Sequence, residues 1–209
     1  MTEAEWMVAA DPHLVLTFLR EKATDRKLRL FSCACCRNVP HLMPDSRSQL
    51  ALNVAERVAD GLADEREWDN AIRMLRGLPP DHTQWTLFPD AFIAAERGAS
   101  FTAAAVHSAT KPQRRYGARR AEKATQVSFL RDIFGNPFRP VAINPERLSS
   151  TVVALARGMY ESRDFGAMPI LADALQDAGC DSDDILDHCR GPGLHVRGCW
   201  VVDLVLGRE

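Results

Sequence analysis

The sequence predicts a mainly α-helical fold, a compact multi-helix bundle. Apolar residues recur at spacings of three and four along most of the 209 residues. Clean alternation of apolar and polar residues, which is typical of half-buried strands, is scarce. Ala and Leu are abundant, and residues that cap helices precede most of the apolar runs. A chain of this length can form one domain, or a domain with a C-terminal helical lobe, around a substantial core.

Five helices are predicted in the first part of the chain, the fourth from its apolar spacing alone. The starts of the other four are the Thr2 and Glu5 capping box, Asp11 before Pro12, Asp25, and the Asp64 and Glu67 capping box. The third helix should run to Val39, where Pro40 closes it. In the fourth helix, apolar residues stand four apart and predict the buried face: Leu50, Val54, Val58 and Leu62.

The helical pattern weakens between Pro79 and Pro112. Residues 81–85 resemble a loop, and residues 90–107 form an Ala-rich helix candidate that Gly98 interrupts. From about Gln113 to Phe134 a long helix is expected, and two prolines after it force an extended connection.

Three further helices are expected in the C-terminal part. They begin at Ser149 or Ser150, near Pro169, and at Asp181 with Asp184, and Gly179 supplies a left-handed end for the second. Residues 199–206 are almost wholly apolar and therefore should be buried. Their length does not separate strand from helix, and we favour helix.

These elements predict three regions. Residues 1–110 form an N-terminal helical region, residues 111–145 a basic helix with a Pro-rich connection, and residues 146–209 a C-terminal helical region that packs on the N-terminal part.

Charge and hydropathy narrow the function classes. The chain carries 26 basic and 28 acidic residues, a net charge of -2, which disfavours a dedicated nucleic-acid binder. No apolar run approaches the roughly 20 residues that span a bilayer, and the N-terminus is acidic, unlike a secretory signal. We therefore expect a cytoplasmic protein with no membrane partner, whose six cysteines are thiols or metal ligands rather than disulfides.

The cysteine- and histidine-rich stretch near the C-terminus is the candidate metal site. Cys189, His195 and Cys199 form a Cys-x5-His-x3-Cys pattern around a bent turn; His188 is adjacent, and Cys180 is an alternative ligand. Imidazole and thiolate are ligands that zinc prefers, so zinc is the expected cofactor if any is bound. The alternative hypothesis is that the two cysteines are packing residues and that His195 bonds a carbonyl at a helix end.

A second group of cysteines lies in the third predicted helix. At 100° per residue, Cys35 shares a face with Leu28 and Phe31, whereas Cys33 points to the opposite side, so these thiols cannot all reach one metal. Cys33 and Cys36 could form a ligand pair, but packing of small side chains is the favoured interpretation.

The stretch from Lys111 to Lys123 has six positive charges against one negative. Arg115, Arg119 and Lys123 stand four apart on one side of the expected helix and are the candidate partner-binding residues. The favoured interpretation is that these charges form a solvated helix face that binds no partner. If the face does bind a partner, an acidic protein surface is expected. Nucleic acid is disfavoured, because only one aromatic residue interleaves with the charges.

Catalytic patterns are absent from the sequence. There is no phosphate-binding loop, nucleophile elbow, His-Glu-x-x-His pair or dinucleotide fingerprint. A thiol-dependent enzyme is the weakest hypothesis. It would use Cys36 or Cys189 as nucleophile with His41, His188 or His195 as base.

Two blocks of the chain carry recognisable sequence motifs. The first block runs from MTEAEW to DRKLRLFSCACCR; the second contains LRDIFGNPFRPV, LADALQDAGC and HVRGCWVVD. Together they cover a little over half of the chain. In these blocks the chain resembles an uncharacterised family of bacterial proteins that is sometimes associated with SMI1/KNR4-type immunity domains. The resemblance implies a bacterial cytosolic setting and brings no catalytic residues.

The sequence thus favours a non-catalytic protein-interaction or regulatory module in the bacterial cytoplasm. The alternatives are a zinc-stabilised domain, with or without nucleic-acid binding, and, least favoured, a thiol-dependent enzyme.

Overall fold

A computed structural model describes residues 1–78, 83–145 and 148–208, and within these ranges the protein is helical and contains no strand. The helices of these ranges are α1 (Glu3–Val8), α2 (Pro12–Leu19), α3 (Asp25–Arg37), α4 (Ser46–Ala59), α5 (Glu65–Leu75), α6 (Thr83–Thr86), α7 (Ala91–Ala109), α8 (Arg115–Phe134), α9 (Ser150–Ser162), α10 (Met168–Asp177), α11 (Asp183–Arg190) and α12 (Trp200–Leu206). The mainly α prediction is confirmed.

The expected caps are present at most helix starts. Both capping boxes form, since Thr2 accepts from the backbone of Glu5 and Asp64 from that of Glu67. These side chains satisfy backbone N–H groups that have no partner inside the helix. Residues 199–206 form the favoured helix, apart from Cys199, which stands at its cap.

The chain divides into two compact units, Met1–Leu130 and Arg131–Glu209. In the first unit α3 is the central helix, because α4, α6 and α7 all pack against it. The guanidinium of Arg29 on α3 donates to the backbone carbonyls of Thr86 and Phe88 and lies over the ring of Trp68. These hydrogen bonds offset the cost of burying the guanidinium group, because Arg29 is almost wholly removed from solvent.

The buried face of α4 differs from the prediction. Leu50 and Leu62 are exposed, whereas the residues turned inward are Ser48, Ala51, Leu52, Ala55 and Glu56. Small side chains allow α4 to lie close to α3, and the buried Glu56 pairs with Arg37 of α3. An ion pair and close backbone approach therefore outweigh the four-residue apolar pattern.

The structure corrects two expectations for the stretch between Pro79 and Pro112, where the helical sequence pattern is weak. Helix α7 continues through Gly98, where a β-carbon would lie 2.4 Å from the Ser32 hydroxyl of α3. Glycine there permits close packing and does not interrupt the helix. Residues 83–86 form α6 rather than a loop; residues 81 and 82 of the predicted loop lie outside the described residues.

The second unit contains the end of α8 and helices α9 to α12. Its core is built from the buried faces of the last four helices, with Tyr160, Leu171, Ile185 and Val202 among its members. The predicted packing of residues 146–209 on the N-terminal region stays a prediction. No helix of the described residues is both long enough and apolar enough to cross a membrane.

Candidate metal centre

Four side chains of the second unit converge on one point: Asp132, His188, His195 and Cys199. One ligand atom of each lies within 4.8 Å of all the others. Asp132 Oδ1 is 2.7 Å from His195 Nδ1 and 3.2 Å from His188 Nε2. Cys199 Sγ is 3.2 Å from His188 Nε2 and 3.8 Å from His195 Nδ1. Zinc bonds of about 2.0–2.3 Å at tetrahedral angles place ligand atoms about 3.3–3.7 Å apart. Three of the four separations lie near this range, whereas Asp132 Oδ1 and His195 Nδ1 are at hydrogen-bond distance and would have to move apart to hold a metal ion.

Asp132 lies in the last turn of α8 and is held by the chain around His195. Its Oδ2 accepts a hydrogen bond from the backbone N–H of Val196 at 2.8 Å. That bond leaves Oδ1 facing the two imidazoles. The carboxylate is thus oriented to offer one oxygen to the cluster, in the way that outer hydrogen bonds orient metal ligands.

The other three side chains of the cluster come from α11 and the turn that follows it. His188 lies in the last turn of α11, and Cys199 caps the start of α12. Gly198, immediately before Cys199, has φ 96°, a conformation that glycine adopts without a steric penalty. The rings of His188 and His195 meet edge to face, with 4.9 Å between their centroids. This geometry points one nitrogen of each ring at the same place.

The cluster is almost closed to solvent. The exposed fractions are 3% for the Asp132 side chain, 7% for His195, 19% for His188 and 0% for Cys199. Burial acts to raise the pKa of Asp132, but hydrogen bonds from both histidines outweigh it and hold that pKa below its ordinary value. Burial, and then the charge of Asp132, raise the pKa of the Cys199 thiol well above its ordinary value.

This donor set suits a divalent cation. Carboxylate and thiolate together supply two negative charges, which balance the two positive charges of Zn²⁺ and leave a neutral buried complex. A bound cation also deprotonates a coordinating thiol outright. Four protein donors complete a tetrahedron, which is the arrangement of structural rather than catalytic zinc.

A catalytic triad does not fit the same atoms. A Cys-His-Asp triad needs the thiol at one ring nitrogen and the carboxylate at the other. Here His188 Nε2 faces both Asp132 Oδ1 and Cys199 Sγ. The atoms therefore surround a shared point and do not form a relay.

The cluster and the predicted site overlap in part. His195 and Cys199 belong to it, but Cys189 does not, because its side chain lies in the apolar core of the second unit. Burial, followed by the charges of Cys180 and Asp132, raises the pKa of Cys189 to about 12. His188 belongs to the cluster, although the sequence analysis noted it only as a neighbour of the Cys-x5-His-x3-Cys pattern.

Asp132 was missed by the sequence analysis because it lies 63 residues before His195. One signal was present. Asp132 falls in the last turn of a helix, where the dipole disfavours an anion, and beside the buried Leu130 and Ile133. An acid in so unfavourable a position indicates a specific partner.

The cysteines of α3 behave as packing residues. Cys33, Cys35 and Cys36 are all buried, including Cys33, which was expected on the opposite side of the helix from Cys35. The difference arises because α3 is surrounded by other helices and has few exposed positions. Among the described residues, the potential metal-binding group contains none of them.

The predicted partner-binding residues lie on α8. Arg119 is exposed. Arg115 Nε donates to the carbonyl of Thr110 at 3.0 Å, and Lys123 Nζ lies 2.7 Å from Asp11 Oδ2. Two of the three bases thus have a partner within the first unit.

Comparison with known proteins adds no relative to these observations: family models, curated proteins and solved structures give no significant match. The resemblance to a bacterial family therefore stays a prediction.

Proposed function

We propose that the second unit binds one zinc ion through Asp132, His188, His195 and Cys199, and that the ion has a structural role. The observation that carries the proposal is the convergence of the four ligand atoms within 4.8 Å in a site almost closed to solvent. Neither imidazole divides its two nitrogens between the acid and the thiol, which favours a shared ion over a hydrogen-bonded relay.

The zinc ion would link two parts of the chain that are distant in sequence, the end of α8 and residues 188–199. Asp132 belongs to the end of α8, His188 to the end of α11, and Cys199 to the start of α12. Such links are absent from an unfolded chain, so the free energy of metal binding contributes to folding. The proposal assigns no reaction to the site.

Metal analysis of the purified protein reconstituted with zinc tests this function. We expect about one zinc per chain after removal of free metal, because four donors complete one coordination shell. The variants D132N and C199S should each lose most of this zinc, since a weaker or neutral donor replaces a charged ligand.

Cys189→Ala is the matched control, because Cys189 lies in the same unit but outside the cluster. It should retain the zinc. Wild-type protein with a zinc content near zero, or C199S protein with full zinc content, would contradict the proposal.

As a second candidate function, we propose that the N-terminal part of α8 binds an acidic protein surface, as expected of an interaction or regulatory module. One observation favours it: Tyr116 is 82% exposed beside the exposed Arg119 and Arg120, and the first turn of α8 contains no acidic residue. Exposed tyrosine and arginine are enriched at protein interfaces.

A further inference from the structure

The indole of Trp200 lies against both the end of α8 and one imidazole of the metal cluster. Its ring is 5.1 Å from the ring of His188, centroid to centroid. A β-carbon added at Gly135 would lie 3.2 Å from Trp200 Cγ and 3.3 Å from Cδ2. The indole is thus close to both a glycine backbone and a histidine ring.

Each contact of this indole is close in sequence to a cluster residue. Gly135 follows Asp132 by three residues at the end of α8, and Trp200 follows Cys199 directly. The third contact is His188 itself. One rigid ring therefore contacts, or lies close in sequence to a contact of, three of the four cluster residues.

Gly135 is suited to this contact for two reasons. Its φ of 63° ends α8 in the left-handed conformation that glycine tolerates best. The missing side chain also leaves room for the indole, because a β-carbon at 3.2–3.4 Å from three indole atoms would force Trp200 to shift.

From this geometry we infer that Trp200 is a positioning residue for metal coordination: seated on Gly135, it sets the orientation of the His188 imidazole relative to Asp132 and Cys199. The inference rests on the proposed zinc site. A metal ligand must hold its donor atom within a few tenths of an ångström of the ideal distance, and outer contacts that orient ligands commonly change metal affinity by about 10- to 100-fold.

The test compares W200L, which loses the flat ring, with W200F, which keeps a ring of smaller size. Zinc dissociation constants are measured by competition with a chromophoric chelator, and the visible bands of bound Co²⁺ report the coordination geometry. We expect W200L to bind zinc about 10-fold more weakly than wild type. Its Co²⁺ bands should be less intense, since these bands weaken when a tetrahedral site is distorted or gains ligands. The zinc affinity and the Co²⁺ band intensity of W200F should lie between those of W200L and wild type.

Trp85→Leu in the first unit is the control for loss of a half-buried tryptophan, and it should leave both the zinc affinity and the Co²⁺ spectrum unchanged. If W200L fails to fold, as judged by circular dichroism, W200F takes its place, because it keeps an aromatic ring and every ligand. Weaker zinc binding with altered Co²⁺ bands in that variant supports the inference.

Wild-type zinc affinity and an unchanged Co²⁺ spectrum in folded W200L, or in W200F where W200L does not fold, would overturn the inference and leave the zinc site standing. A wild-type protein that binds neither metal would overturn both the proposed function and this inference.

Discussion

Cys189 and Cys199 stand ten residues apart and have different surroundings. Cys199 faces two imidazoles, whereas Cys189 faces the apolar core of the second unit. The two thiols look equivalent in the sequence, because each is next to or near a histidine. Only the direction of each side chain separates a candidate ligand from a packing residue.

The thiols should react at very different rates. The pKa of Cys189 is raised to about 12, mainly by burial, so its thiolate is scarce at pH 8. Cys180 is the one half-buried cysteine among six. We therefore expect iodoacetamide at pH 8 to label Cys180 first in the native protein and to leave Cys189 and Cys36 unlabelled until the protein unfolds, as read by peptide mass spectrometry.

Rapid native labelling of Cys36 or Cys189 would contradict this prediction and support a thiol-dependent enzyme.

The raised pKa of Cys189 also makes the stability of the protein depend on pH. The pKa of Cys189 rises from about 8.5 in an unfolded chain to about 12 in the fold. The buried neutral thiol therefore contributes fully to the free energy of unfolding below pH about 8.5. This contribution is lost as the pH rises towards 12, because the unfolded chain then gives up the thiol proton more readily than the folded protein does.

At the scale of elements, helix positions followed from the sequence more readily than helix faces. Side-chain caps are local, so the starts of α1, α2 and α5 could be predicted from a few residues. The buried face of α4 depends on its neighbour α3, which offers Arg37 to Glu56. An apolar period alone does not contain that information, and Gly98 in α7 is a second example.

Helix α8 provides a prediction about partners. A fluorescent glutamate-rich peptide serves as the probe, and its binding should weaken as salt is added, because exposed charges are screened. We expect R119Q to weaken binding more than R115Q or K123Q, since Arg115 and Lys123 already contact Thr110 and Asp11.

The matched control for this prediction is R66Q/R73Q on α5, which removes two exposed bases elsewhere in the first unit. It should bind the peptide as the wild type does. Equal binding by R119Q and wild type would indicate that the basic face is only solvated, and tighter binding to a DNA duplex than to the peptide would favour the nucleic-acid hypothesis.

For the whole molecule, half of the candidate site could be predicted from the sequence. His195 and Cys199 lie close together in the chain, so their residue types and spacing already suggested zinc. Asp132 is brought to them by the fold, at the far end of a 20-residue helix. A ligand so far away in the chain belongs to no short sequence motif. The sequence pattern therefore predicted Cys189 as a ligand instead of Asp132.

X-ray absorption at the zinc edge of the reconstituted protein tests the central claim, the identity of the four ligands, most directly. A site built from Asp132, His188, His195 and Cys199 predicts one sulfur at about 2.3 Å and three nitrogen or oxygen atoms at about 2.0–2.1 Å. A shell with two sulfurs, a shell with none, or six oxygen and nitrogen neighbours would contradict it.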